Sequence, residues 1–239
     1  MLKSERIQIL DGWRGVAVLM VLFGHFVPLP GSEIARLGVE LFFVLSGRLM
    51  AQILIVKKAA LPRFFWRRLS RIFPALIVFV LVVMLLSTFG RFAPSPLEFF
   101  SVLTMWSNYL FTFAPREPVF GHTWSLAIEE HSYIALGLIA FLTARKVKLS
   151  LIFAAAVIII GFSRGIWLSF SSELGFYEIY WRTDVRAASL FCVFFVYLCH
   201  FNSGFILAKL VTVKINRAIV FTMALIVLRS NPNTKTLVV

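Results

Sequence analysis

Acidic residues are scarce in this 239-residue chain. Eleven Asp and Glu stand against 24 Lys and Arg, and charged residues of both signs make up only 15% of the sequence. A soluble domain keeps more charge than that on its surface, and 60% of these residues are hydrophobic, so a soluble globular protein is excluded. The two cysteines, Cys192 and Cys199, share one apolar run with neither metal spacing nor a second pair. A disulfide framework and a thiolate metal centre are excluded, and both read as ordinary small membrane residues. HExxH and comparable metal spacings are absent as well. No cleavable signal is expected, because the first apolar segment opens with Asp11 and Arg14 and ends at Pro28 and Pro30 without a small-residue cleavage site. Internal repeats and low-complexity linkers are lacking too.

Long apolar runs are abundant, several of them near the ~20 residues a membrane crossing requires. The fold class is therefore all-α, a polytopic transmembrane helical bundle. We expect one partial membrane domain over 1–239, with full spans at 12–27, 37–56, 72–89, 124–143, 149–168 and 187–207. Residues 218–228 remain as a C-terminal stub, since eleven residues give only ~16 Å of helix. Segment 97–113 is somewhat short and carries Trp106, Asn108 and Tyr109, so it is either an extra crossing or a re-entrant helix. The alternation of basic segments favours the non-crossing reading.

The formal net charge of +13 does not point to nucleic acid, because the basic residues cluster between the apolar runs. The richest segment, KKAALPRFFWRRLSRIFP at 57–74, carries Lys57, Lys58, Arg63, Arg67, Arg68 and Arg71 and is expected to be a connecting loop, with Pro74 in the first turn of the next span. The positive-inside rule puts this segment, the N-terminus and the Arg145–Lys148 cluster on the cytoplasmic side of the cell (inner) membrane. That basic face suits anionic lipid or a phosphate-rich ligand.

Chemistry is expected first from the helix that includes LDGWRGVAVLMVLFGHF, residues 10–26. Arg14 and His25 are 11 residues apart, which returns them to nearly one face at about 100° per residue and separates them by roughly 16 Å. The imidazole thus lies well inside the hydrocarbon, where an ionisable group usually lines a bundle interior or cavity. Because an imidazole can accept a hydroxyl proton under ordinary conditions, His25 is a candidate general base, against the alternative of a buried structural histidine. Asp11 reads as a helix cap or as a partner of Arg14, three residues on. Arg14 reads either as interfacial charge or as a clamp for phosphate or carboxylate.

A second constellation is GHTWSLAIEEHSY at 121–133. His122 and Glu129, seven apart, would share a helical face, with Glu130 about 100° round. Two adjacent carboxylates in an apolar run are expected to face a cavity, to orient a histidine or substrate, or to pair with an arginine. Arg67, Arg68 and Arg71 could grip a phosphate-bearing donor. Arg182 and Asp184 in RTDVR suggest a local pair or a polar cavity wall at the external end of a span. A metal site made from His25, His122 and Glu129 is conceivable but lacks a recognised spacing, and no metal is assigned.

Five blocks in order then resemble the acyltransferase-3 family of membrane-bound O-acyltransferases, which modify bacterial surface glycans. These are LDGWRGVAVLMVLFGH, GVELFFVLSGRLM, RRLSRIFPAL, HTWSLAIEEHSY and YWRTDVRAASL. Gly15, Arg48 and His131 depart from the family's usual residues, and the chain is shorter than the family's domains, so a truncated product is expected. The resemblance implies transfer of an acyl group, commonly acetyl, from cytoplasmic acyl-CoA to a carbohydrate hydroxyl presented outside. His25 would be the catalytic base and Glu129 its acidic partner. Arg14 would bind or position the donor; from charge and placement alone, Asp11, Arg67, Arg68 and Arg71 join it there, and His122, Glu130, Arg182 and Asp184 are expected to line the cavity. The implied partners are membrane lipid and a lipid-linked or surface polysaccharide; acyl-CoA is a co-substrate and no cofactor is bound. Two rival readings stand beside this one, a transporter of a small anionic molecule and an inactive remnant of the acyltransferase.

Overall fold

A computed structural model describes residues 8–27, 33–90, 94–112, 119–171 and 173–202. Among these residues there are nine α-helices and no strand. They are α1 (Gln8–Phe26), α2 (Ile34–Met50), α3 (Leu61–Ser87), α4 (Pro96–Leu103), α5 (Ser107–Thr112), α6 (Trp124–Leu142), α7 (Val147–Ser171), α8 (Phe176–Tyr180) and α9 (Thr183–Asn202). A π-helical turn, Ala51–Val56, prolongs α2. Among the described residues, five helical stretches are long and apolar enough to cross a membrane: Ile34–Val56, Leu61–Ser87, Gly121–Leu142, Val147–Ser171 and Thr183–Asn202. The protein is an all-α, multi-pass helical membrane protein. The expected stub at 218–228, and the end of the span expected at 187–207, lie outside the described residues.

Two compact units divide the chain. One gathers Met1–Leu49 with Val193–Val239, the other Met50–Cys192. In the first, α1 and α2 meet through small residues. A Cβ on Gly38 would stand 2.8 Å from the Ala17 carbonyl, and one on Gly24 would stand 2.6 Å from the Ala35 nitrogen. Absent side chains let two backbones approach closely, a usual device where hydrocarbon supplies no hydrophobic drive.

In the second unit, α3 corrects the expected connecting loop at 57–74. Only residues 57–60 are non-helical, and α3 begins at Leu61. Pro62 falls at the helix start, where a missing N–H costs little, and the arginines that follow are good helix formers. Pro74 consequently sits inside the helix instead of in its first turn. It removes the hydrogen bond to the Ser70 carbonyl, a cost the surrounding packing must offset. Leu76, Val80 and Val83 of α3 are buried with Val102, Met105, Phe111 and Phe120 in one apolar core.

Segment 97–113 is divided between α4 and α5, of eight and six residues, and neither can span ~30 Å. Ser95 and Glu98 form a reciprocal capping box that starts α4. The helix ends in a Schellman arrangement, Trp106 N–H to the Ser101 carbonyl at 3.0 Å and Met105 N–H to the Val102 carbonyl at 3.2 Å. Met105 occupies the left-handed position at φ 60° that glycine usually fills. The end of α6 repeats the arrangement, with Ala144 at φ 47°.

At that end of α6, Arg145 donates to the carbonyls of Lys58 and Ala59 at 2.9 and 3.1 Å. The two basic connections, 57–60 and 143–146, therefore lie at one end of this unit. Helices α7 and α9 pack antiparallel on Gly161 and Gly165, whose added Cβ atoms would meet Ala188 at 2.9 Å and Val185 at 3.1 Å.

Candidate functional site

In the second unit three charges meet where α3 crosses α6. The phenyl ring of Phe65 lies on Gly137, so closely that a Cβ there would approach it to 2.7 Å. One turn further along α3, and one turn back along α6, the Arg68 guanidinium covers the Tyr133 ring, 3.5 Å from its centroid. The same guanidinium donates from Nε to Glu130 Oε1 at 2.6 Å and from Nη2 to Glu129 Oε2 at 3.2 Å. Further still, Phe79 meets His122 edge-on at 5.3 Å. The contacts run in opposite chain directions, so α3 and α6 are antiparallel here.

The three charges are removed from solvent; side-chain exposures are 18% for Arg68, 16% for Glu129 and 10% for Glu130. Burying a carboxylate is costly unless a cation and hydrogen bonds compensate. One guanidinium serves both acids, and its fork suits this because two N–H groups point in fixed, divergent directions. Both glutamates turn toward the arginine, with Glu130 the closer and the more buried.

His131, the next residue on α6, faces a different group. Its Nδ1 lies 2.9 Å from the Thr183 hydroxyl. Asn108 Nδ2 donates to that hydroxyl and to the Trp181 carbonyl, each at 3.0 Å. Beside them, Asp184 accepts from Arg182 Nε and Nη2 at 3.0 and 2.9 Å, and from Arg164 Nε at 3.4 Å. The Asp184 hydrogen bonds raise the Arg182 pKa further above its already high value, against the opposing effect of burial. The expected local pair of Arg182 and Asp184 is thus present, with Arg164 of the Gly161–Gly165 stretch as an additional partner.

The first unit holds the other candidates. Asp11 and Arg14 form an i,i+3 ion pair at 3.5 Å, each side chain about a third exposed. His25 is exposed among the described residues, and its Nδ1 lies 2.8 Å from the Val21 carbonyl of its own helix. A carbonyl only accepts, so Nδ1 carries the proton. In the neutral ring Nε2 is then the basic atom.

Several expectations are refined by this geometry. Arg68 is turned into the protein, whereas Arg63, Arg67 and Arg71 are exposed at successive turns of one face of α3. His122 does not share a helical face with Glu129: it lies in a 3₁₀ turn, Gly121–Thr123, before α6 begins, and is exposed. Asn108, Thr183 and Arg164 were not singled out as site residues. For Arg164 a signal existed, a single charge framed by two glycines within an apolar helix. Among the described residues no group of three or more His, Cys, Asp or Glu is placed to hold a metal ion.

A polytopic helical membrane protein with a buried arginine–dicarboxylate cluster is the class that fold and site define. A family model described as an acyltransferase domain (acyltransferase-3) matches residues 7–228, and the chain belongs to that family. It is 30% identical over 202 residues to a protein named peptidoglycan O-acetyltransferase OatA of Listeria monocytogenes, covering 76% of this chain and 32% of that one. An O-acetyltransferase OatA of Staphylococcus aureus (strain NCTC 8325) is 30% identical over 203 residues, covering 76% and 32%. The chain spans about a third of the length of these curated relatives. No solved structure matches it.

Proposed function

We propose that this chain is an acyltransferase domain of the inner cell membrane, with its N-terminus in the cytoplasm. It moves an acyl group, specifically acetyl, from cytoplasmic acetyl-CoA to a hydroxyl of a carbohydrate outside, such as a lipid-linked or surface glycan. The observation that carries this reading is the family match, which spans both the His25 helix and the Arg68–Glu129–Glu130 cluster. The names of the relatives supply the acetyl group, and one of them supplies peptidoglycan as a glycan acceptor. The joined basic connections at 57–60 and 143–146 support a cytoplasmic face, where Arg67 and Arg71 would attract the phosphates of CoA.

In this mechanism His25 Nε2 takes the proton of the sugar hydroxyl as its oxygen attacks the thioester carbonyl carbon. The tetrahedral intermediate expels the CoA thiolate, which receives the proton from the imidazolium, leaving an ester and CoA thiol. Glu129 is the acidic residue of this reading. General-base catalysis of this kind contributes roughly 10²–10⁴-fold in rate.

The test uses purified chain in detergent with labelled acetyl-CoA and a cell-envelope glycan. Label should enter the glycan, and His25→Ala should lower the rate by roughly 10²–10⁴-fold without changing thermal unfolding, because among the described residues the imidazole hydrogen-bonds within its own helix. Transfer that survives His25→Ala would remove the base from this assignment. Labelled acetyl-CoA that never acylates the glycan would remove the reaction.

A further inference from the structure

The arginines at the start of α3 divide by direction. Arg63, Arg67 and Arg71 face outward, while Arg68 contacts Tyr133, Glu129 and Glu130 across the helix interface. From this geometry we infer that Arg68 and Glu130 are positioning residues: Glu130 anchors the guanidinium, and the guanidinium in turn holds Glu129 in its working orientation. The inference rests on the reaction proposed above and takes Arg68 out of the set of donor-binding arginines.

The asymmetry of the two contacts gives the order of the chain. Glu130 makes the shorter bond, 2.6 Å to Nε, and is the more buried carboxylate. Glu129 takes the longer bond, 3.2 Å to the terminal Nη2, and keeps more exposure. The side chain is also pressed on the Tyr133 ring, which fixes the guanidinium plane and so the direction in which both N–H groups point. A cation held by ring and acid on the inner side leaves its outermost donor for Glu129. Substrate phosphate cannot take that guanidinium without displacing two carboxylates. Lysine at this position would keep the charge but lose the planar fork, so it could not present both acids at fixed angles.

The measurements are kcat and KM for acetyl-CoA, with thermal unfolding of each purified variant in detergent. Arg68→Lys and Glu130→Gln should each lower kcat by roughly 10–100-fold, the range that supporting partners of catalytic ligands command. KM for acetyl-CoA should stay within about twofold, since neither residue meets the donor. The double variant should be no slower than the slower single one, because both residues act through the same carboxylate. A tenfold or larger rise in KM with kcat intact would overturn the inference and return Arg68 to donor binding, and so would additive losses in the double variant. If unsubstituted protein transfers no label, the proposed reaction fails, and the anchoring is judged by unfolding alone. Melting shifts of Arg68→Lys and Glu130→Gln that are far from additive then uphold the clamp; additive shifts reject it.

Discussion

Helix α1 and the α3–α6 crossing both carry charge into apolar sequence, and they satisfy it in opposite ways. On α1 two contacts are local: Arg14 meets Asp11 three residues back, and His25 bonds the carbonyl four residues back. On α6 the acids depend on Arg68, 61 and 62 positions away in sequence. Partners within one turn form as soon as the helix does, and their loss leaves tertiary packing untouched. A partner from another helix exists only once the bundle is closed, and its loss removes a cation from two carboxylates held away from water. The contacts of Arg14 and His25 thus stay within α1, whereas the charge on α6 is tied to a second helix.

The sharpest way to break this contrast is Arg68→Leu. Removing one member of a buried ion cluster typically costs 3–5 kcal/mol, because the remaining charges lose compensation. We expect a loss of about 3 kcal/mol or more in thermal or denaturant unfolding of the detergent-solubilised protein, with a matching drop in expression. The corresponding loss on α1, His25→Ala, should leave the unfolding midpoint in place while lowering transfer by roughly 10²–10⁴-fold. Equal destabilisation by the two substitutions would erase the distinction between local and long-range satisfaction.

A smaller effect is expected at Gly137, where packing and not charge defines the crossing. A Cβ placed there meets the Phe65 ring at 2.7 Å, so Gly137→Ala must push the ring or the helix aside. Overpacking of this kind costs typically 1–3 kcal/mol, offset by a helix preference of up to ~1 kcal/mol for alanine. Unfolding should shift down modestly, and Gly137→Ala combined with Phe65→Leu should recover part of it. Unchanged stability in the single variant would mean that α3 slides freely on α6, and would loosen the geometry claimed for Arg68.

How much of this was legible in the sequence follows from the same contrast between local and distant. Run length marked the long apolar helices from α2 onward, and the pair Glu129–Glu130 stood out because adjacent acids in an apolar run demand a partner. Which arginine would answer was not legible, because the basic run at 57–74 looked like a loop when most of it is the first turns of α3. The spacing held a clue: Arg63, Arg67 and Arg71 recur every four residues on one face, which leaves Arg68 on another. His122 was misplaced for the opposite reason. Its seven-residue distance to Glu129 assumes continuous α-helix, and a 3₁₀ turn precedes α6. The α7–α9 contact was written locally as Gly161 and Gly165, four apart, yet small residues name an interface without naming what packs there.

The smallest effect belongs to Asp11. Its pairing with Arg14 is long, at 3.5 Å, and both side chains are about a third exposed. It also stands in the first turn of α1, where a negative charge complements the helix dipole. Exposed ion pairs contribute about 0–1 kcal/mol and a helix-terminal charge about 0.3–1 kcal/mol, and salt screens both. Asp11→Asn should thus lower stability by no more than ~0.5 kcal/mol, and the difference should shrink between low and high salt. If Asp11 only holds Arg14 in place for the donor, KM for acetyl-CoA should rise in the same variant while kcat stays. A stability loss comparable to that of Arg68→Leu would instead show that α1, too, depends on a charge fixed by tertiary structure, and the two regions would cease to differ in kind.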